Sequence, residues 1–426
     1  MFRNIINDLA GWYEREEQKA ALIKGGKAVG KTWAALDFAT GFFDEYIVID
    51  LAEYPDLLEY ISKERKPDKV HAKLVTTVDK YDFEGKLLIF DNAQLNTLSI
   101  KNLAMYAGSR KDCRVLIIAT AGGKLDIEDQ CKDILDVFEM TPMTFEEFLK
   151  AGKGRKLCKY IENQMMDALS DEVRESVKTM LETFFLTGGM PEVVSAYYKN
   201  ESFIDADAAL VKLLDRINEY IVDTAPRRSL RKVVAVWKSI PKQLTKDNKK
   251  FMYGYVDPKA RAREYEDSVE FLVKAGVVNR VYRIKEGVLP LENQVDEKSF
   301  ELYHLDHGLL RIMSEIKCTD VDLNNVYDTM GGVIAEQYAY SELKANKKIG
   351  TLYFWISSAT AKVDFVYEGE GEVIPVDVQT APHSKAQSVK VFTGRYNNNT
   401  SVRISTDDMY VKKGLLNIPL YGIWNF

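Results

Sequence analysis

The residues with the clearest chemistry lie in one stretch, Gly25-Gly26-Lys27-Ala28-Val29-Gly30-Lys31-Thr32. It fits the phosphate-binding pattern GxxxxGK[ST] at every fixed position. Gly25 and Gly30 give the backbone freedom to fold into a nest of N–H groups around a polyphosphate. A helix opening behind the loop would point its positive dipole end at the same anion. Lys31 is the cation for the β- and γ-phosphates, and the Thr32 hydroxyl is a ligand for Mg²⁺. The expected nucleotide contact is the whole loop with Trp33 behind it, and the expected cofactors are ATP and Mg²⁺. The plainer alternative is a glycine-rich turn before an ordinary helix, but both flanks favour the phosphate loop. Ala21-Leu22-Ile23 before it reads as a strand, and Trp33-Ala34-Ala35-Leu36 after it reads as a helix.

Three further apolar runs would build the sheet that carries this loop. They are Glu45–Leu51, Lys86–Asn92 and Arg114–Thr120, with helix-length segments between them. Alternating strands and helices predict an α/β layer with a parallel sheet. Ligands of such sheets sit at the carboxyl ends of the strands. The loop, Asp91 and Thr120 all fall at that edge. Asp91, closing an apolar strand, reads as the acid that supports Mg²⁺. Thr120 reads either as a polar group that senses the γ-phosphate or as a simple strand cap. The next residue after Asp91 is Asn92, and an amide can orient a water but cannot take its proton. Slow hydrolysis, or binding without turnover, is the expectation. Gln94 and Glu84 are the other polar groups nearby in sequence. Before this sheet, residues 2–18 read as an amphipathic helix through Phe2, Ile5, Ile6, Leu9 and either Trp12 or Tyr13.

Composition narrows the class. The chain has 426 residues, 46% hydrophobic and 29% charged, with formal net charge −6. That describes a folded chain of two to four domains rather than a disordered one or a generally basic nucleic-acid coat. Cys113, Cys131, Cys158 and Cys318 are scattered and form no CxxC pair, so neither a zinc site nor a disulfide framework is expected. A reduced, cytoplasmic setting fits them. The N-terminal segment lacks a signal-peptide core, and no apolar run approaches the roughly 20 residues that span a bilayer.

Several stretches, taken in order, resemble a bacterial and archaeal family of AAA-type ATPases with a C-terminal restriction-endonuclease-like domain of unknown function. They are the loop at 25–32, Asp91-Asn92-Ala93-Gln94, Pro142–Phe148, Gly188–Glu192, Ala262–Tyr265, Ala275–Val278 and Leu302–Leu310. The resemblance implies an ATPase core over residues 1–145, a helical lid over 146–225, a winged-helix-like region over 226–327 and an endonuclease-like α+β domain over 328–426. Asn92 departs from the family, which usually has a second carboxylate there.

The middle and end of the chain carry two more sets of chemical residues. In 227–285, two apolar helical faces precede Val277–Tyr282, which opens a hairpin turning at Lys285-Glu286-Gly287. A winged helix of this kind could enter DNA. Arg227, Arg228, Arg231, Lys232, Lys242, Lys246, Lys249 and Lys250 would meet its phosphates; a solvated basic face or a docking surface is the plainer reading. Arg261 and Arg263 are further cations that could face a nucleotide. In the last domain a helix at Val333–Leu343 precedes strands at Thr351–Trp355, Lys362–Tyr367 and Val373–Gln379. In the endonuclease-like fold that the resemblance implies, Glu336, Asp364 and Asp377 converge on a divalent ion. The usual lysine position holds Gln379, with Lys385 and Lys390 as substitutes, so a degenerate site retained for binding or assembly is expected over active cleavage. The reading is an ATP-binding switch, with a nucleotide-independent scaffold and an ATP-regulated DNA nuclease as alternatives. Protein partners or self-association are the expected contacts, and no membrane is.

Overall fold

The computed structural model describes residues 1–426 except 18, 79–81, 94–96, 124, 126–127, 165–168, 247, 358–360 and 381–386. The chain divides into two compact units. One comprises residues 3–141 with the short segment 274–277. The other comprises residues 1–2, 142–273 and 278–426.

The unit containing residues 3–141 runs α1 (Ile5–Tyr13), β1 (Ala20–Gly25), α2 (Lys31–Phe42), β2 (Tyr46–Asp50), α3 (Pro55–Lys63) and α4 (Pro67–Val78). It continues with β3 (Leu87–Asp91), α5 (Thr97–Ser109), β4 (Arg114–Thr120), α6 (Glu128–Cys131) and β5 (Leu135–Met140). The five strands form one sheet in the order β2-β3-β4-β1-β5, and every pairing is parallel. Position in the sheet explains each strand's composition. β1 lies between β4 and β5 and is buried at all six residues, so it is an unbroken apolar run apart from Lys24. The Lys24 ammonium reaches Glu128 at 2.5 Å and the Gly123 carbonyl at 2.8 Å, which satisfies it. β2 is an edge strand, and Tyr46 and Val48 face solvent while Ile47 and Ile49 pack inward. β5, at the other edge, mixes acids with apolar residues. The helix α1 is shorter than its amphipathic pattern suggests and buries Ile5, Leu9 and Trp12.

The other unit begins with helices α7 (Phe145–Ala151), α8 (Arg155–Gln164), α9 (Asp171–Thr187), α10 (Pro191–Asn200) and α11 (Phe203–Thr224). Thr144 and Glu147 form a capping box at the start of α7. Pro191 opens α10 just past the Gly188-Gly189 break. Then come α12 (Leu230–Leu244), α13 (Tyr253–Val256), α14 (Ala262–Lys274), β6 (Val278–Ile284), β7 (Val295–His304) and α15 (His307–Met313). The last part is α16 (Val333–Ala345), β8 (Tyr353–Ile356), β9 (Lys362–Gly369), β10 (Glu372–Gln379), α17 (Gln387–Tyr396), β11 (Ser401–Ser405), β12 (Tyr410–Lys412) and β13 (Leu415–Pro419).

Its sheet has the order β12-β13-β11-β10-β9-β8-β6-β7. Thus β6 pairs with β7 on one side and, in parallel, with β8 on the other. The hairpin expected as a free wing is one end of an eight-stranded sheet. Its connection, residues 285–294, is also longer than the Lys285-Glu286-Gly287 turn and includes a short 3₁₀ segment, Leu291–Gln294. Strands β8, β9 and β10 form an antiparallel meander, and β11 then joins β10 in parallel after the helix α17.

Candidate functional site

The expected phosphate loop leaves the carboxyl end of β1 and enters α2. Gly25 pairs in register with Thr120 on β4 and with Met140 on β5. A Cβ on Gly25 would stand 2.1 Å from the Met140 carbonyl oxygen, so only glycine fits there. Gly30, the residue before α2, has φ +95°, a conformation that favours glycine. Ala28, with φ +63°, takes the other left-handed position in the loop. Val29 is buried, Gly26 is covered, and Lys27 is half-buried. Trp33 is 41% exposed at the start of α2. Lys274–Val277 closes over the same edge as part of this unit. The Gly122 N–H donates to the Lys274 carbonyl at 3.0 Å, and a Cβ on Gly276 would lie 3.0 Å from the Gly26 Cα.

The two residues expected at Mg²⁺ meet. Thr32 Oγ1 donates to Asp91 Oδ2 at 2.6 Å, across the edge between α2 and β3. Lys31 has turned back onto its own loop, its ammonium 2.6 Å from the Gly26 carbonyl and 3.1 Å from the Gly25 carbonyl. Burial lowers its pKa to about 7, against the opposing pull of the Asp91 charge. A triphosphate would have to draw this side chain out, offering phosphate oxygens in place of two carbonyls. Thr120 lies at the same edge, 9% exposed.

Asn92 sits in the left-handed region at φ +58°, which asparagine tolerates better than most residues. Its N–H donates to Asp91 Oδ1 at 2.7 Å, and its side-chain amide donates to Asp50 Oδ1 at 2.7 Å. Of the two stand-ins considered for the missing acid, Glu84 precedes β3 and therefore lies at the opposite, amino end of that strand. Gln94 lies outside the described residues. Arg3 escaped the sequence reading. It is buried, and its guanidinium donates to the Val29 carbonyl and the Thr141 carbonyl, both at 2.6 Å, fastening the loop to the end of β5. The only sequence signal for it is an arginine at the foot of an apolar helical face.

The second expected acid set also comes together. Glu336 on α16, Asp364 on β9 and Asp377 on β10 share one buried cluster with Glu301 and Tyr303 of β7. Two lysines are set into it. Lys249 ion-pairs with Glu336. Lys362, two residues before Asp364, places its ammonium 2.9 Å from Glu301, 3.6 Å from Asp364 and 3.8 Å from Glu336. Tyr303 donates to Glu336 at 2.6 Å, the Val378 N–H to Asp364 at 3.0 Å, and Gln379 to Asp377 at 3.0 Å.

The four carboxyls thus face the ammonium groups of Lys249 and Lys362, with the buried Arg403 guanidinium also acting on Asp377, and burial together with their mutual repulsion shows in their pKa values. Burial disfavours a charged Glu336, but Lys249 and Lys362 outweigh it and hold its pKa near 2. Burial and the Glu336 charge push Asp364 up to about 7, and burial raises Asp377 to about 6. Lys362 is held firmly charged: burial opposes this, but Glu301 and Glu336 prevail. Lys249 was expected at DNA phosphates rather than in this cluster, and Lys362 was not among the expected site residues. Lys390 is exposed, and Lys385 lies outside the described residues. Glu146, Cys158 and Glu162 form another grouping of metal-ligand type, but Lys150 already pairs with both acids.

The basic run of the middle region is partly spent inside the unit. Lys249 belongs to the acid cluster, and Lys232 donates to the Glu264 carbonyl at 3.1 Å. Arg227, Arg228, Arg261 and Arg263 are exposed.

The loop 25–32 and Asp91 lie inside a segment that matches a known family. Residues 17–149 match the family described as AAA domain. Residues 178–320 and 331–423 match two families described as domains of unknown function, DUF8612 and DUF4143. No curated protein matches the chain. Among solved structures, the Walker-type ATPase PABY2304 of Pyrococcus abyssi aligns at 13% identity and TM-score 0.44, over 74% of this chain and 96% of its own. The STAND signal-transduction ATPase PH0952 of Pyrococcus horikoshii, which has a tetratricopeptide repeat sensor, aligns at 13% identity and TM-score 0.29, over 81% of this chain and 45% of its own. By its family match, residues 17–149 are similar to an AAA-type ATPase domain, and strands β1–β5 within them form the parallel α/β sheet. Among the described residues, no helix is long and apolar enough to cross a membrane.

Proposed function

We propose that the chain binds MgATP at the loop 25–32 and acts as a nucleotide-dependent switch with slow hydrolysis. One observation carries this reading: a complete phosphate loop whose Thr32 hydroxyl lies 2.6 Å from Asp91, inside the segment that matches the AAA domain. In the bound state the loop N–H groups and the start of α2 hold the phosphates. Lys31 leaves the Gly25 and Gly26 carbonyls for the β- and γ-oxygens. Thr32 and Asp91 would hold Mg²⁺, and the ion would supply positive charge that offsets the phosphates. Trp33 offers an exposed ring beside them, and Thr120 stands where a polar group could report the γ-phosphate.

On this reading residues 146–225 form the lid, 226–327 a winged-helix-derived connector, and 328–426 an endonuclease-like domain. The meander β8-β9-β10, followed by α17 and the parallel strand β11, supports the last assignment. Its acid cluster, already ion-paired to Lys249 and Lys362, favours a domain kept for binding over one that cuts DNA. The test is a thermal melt with and without MgATP. Ligand-linked stabilisation of about 2.7 kcal/mol is expected at one hundred times Kd. A melt unmoved by saturating MgATP would favour the scaffold alternative.

A further inference from the structure

We infer that Asp50, at the end of β2, is the carboxylate that takes the proton from the attacking water, and that Asn92 positions it. This rests on the MgATP reading above. Hydrolysis at the γ-phosphorus needs a proton acceptor near the metal, and the amide of Asn92 cannot be one. Asp50 stands next to it. Its Cα is the register partner of Asp91, one strand over, so it lies at the same carboxyl edge of the sheet.

Three hydrogen bonds run in series across that edge. Thr32 donates to Asp91 Oδ2, the Asn92 N–H donates to Asp91 Oδ1, and the Asn92 side chain donates to Asp50 Oδ1. Asp50 Oδ1 also accepts from the Ala52 N–H at 2.9 Å. Both bonds fall on the same oxygen. They fix the plane of the carboxyl group and leave Oδ2 without a bonded partner among the described residues. The left-handed backbone of Asn92 lets one residue hold Asp91 by its main chain and Asp50 by its side chain.

The other acids of these strands do not compete. Asp44 and Glu45 precede β2, and Glu84 precedes β3, so all three lie at the amino ends of their strands. The carboxylate that usually follows the metal-supporting acid is therefore supplied here from the neighbouring strand, with the amide in its place. In the step itself, the water oxygen bonds to the γ-phosphorus while the bond to the β–γ bridging oxygen breaks. That electron pair leaves on ADP, and the water proton passes to Asp50 and then to solvent.

The experiment measures phosphate release at saturating MgATP and MgATP affinity by calorimetry for the native chain, Asp50→Asn and Asn92→Ala. Asp50→Asn keeps the shape and the acceptor for Asn92 but cannot take a proton. It should lower kcat by about 100-fold, within the usual worth of a general base, with MgATP affinity changed less than about threefold. Asn92→Ala should lower kcat by about tenfold at unchanged affinity, as expected for a positioning residue, with a modest drop in melting temperature because alanine is strained at this left-handed φ. Should Asp50→Asn fail to fold, Asn92→Ala decides, and an unchanged kcat overturns the pairing. Turnover kept by Asp50→Asn overturns the inference. So does a native chain that binds MgATP without hydrolysing it, which would leave the binding reading standing. Absence of MgATP binding by the native chain would instead remove that reading itself.

Discussion

Two acid clusters, one in each unit, were both expected to hold a divalent ion, and they are built in opposite ways. At the phosphate loop, Asp91 faces a neutral hydroxyl, and the nearby cation, Lys31, is folded away onto two carbonyls. Around Glu336, the acids face the ammonium groups of Lys249 and Lys362. An ion entering the first site meets a carboxylate that needs one. An ion entering the second must displace a charge tethered by its own chain. The same residue types thus give a site that waits for a ligand in one unit and a buried ionic network in the other. The difference is whether the balancing cation is mobile or built in.

This contrast can be broken by mutation. Replacing Lys362 by Met leaves Glu301, Glu336 and Asp364 buried without their shared cation. It should cost about 3–5 kcal/mol in urea unfolding, the usual penalty for breaking a buried pair; a loss below about 1 kcal/mol would mean that the lysine is dispensable. At the other cluster Thr32→Ala should leave stability near native and weaken MgATP by about tenfold, roughly 1.4 kcal/mol. Binding of ATP without Mg²⁺ should be unchanged, and equal losses with and without the ion would remove Thr32 from the metal.

A smaller effect sharpens the picture of buried charge. Burial raises the pKa of Glu342 to about 8, while the bond from the Phe145 N–H at 2.7 Å pulls the other way. The native state then holds a proton that the unfolded chain has released, so this group makes stability fall as pH rises from about 4.5 to 8. Glu342→Gln keeps the acceptor and should flatten that slope when urea midpoints are compared at pH 5 and pH 8. The smallest expected effect is none at all. DNA incubated with Mn²⁺ should stay uncut by the native chain and by Asp364→Ala alike, and cleavage lost in the variant would show that the lysines do not silence the cluster.

What could be read from the sequence follows from how local each feature is. The phosphate loop is made by eight consecutive residues whose backbone demands are met within the stretch, so its position between strand and helix was legible. The buried strands β1, β3 and β4 were legible as continuous apolar runs. The edge strand β5 was not, because Leu-Asp-Val-Phe-Glu-Met alternates without a clean apolar face. β11 was hidden for a related reason: Ser401, Arg403 and Ser405 are polar yet buried. The joining of β6 to β8 was invisible, since nothing in either strand names its neighbour. The acids Glu336, Asp364 and Asp377 could be picked out by type and order. Their partners Lys249, Glu301 and Lys362 could not, because only folding brings Lys249 to Glu336. Asp50 was overlooked inside the apolar run Glu45–Leu51, and its role depends on a register with Asp91 that no single strand encodes.

The proposed nucleotide site is the loop 25–32 at the carboxyl edge of the first sheet. Calorimetric titration of MgATP into the native chain and into Lys31→Ala tests it most directly. One nucleotide per chain at micromolar affinity is predicted for the native protein, with binding weakened at least about 100-fold in the variant, roughly 2.7 kcal/mol. Equal affinity in the two proteins, or no heat of binding in the native one, would contradict it.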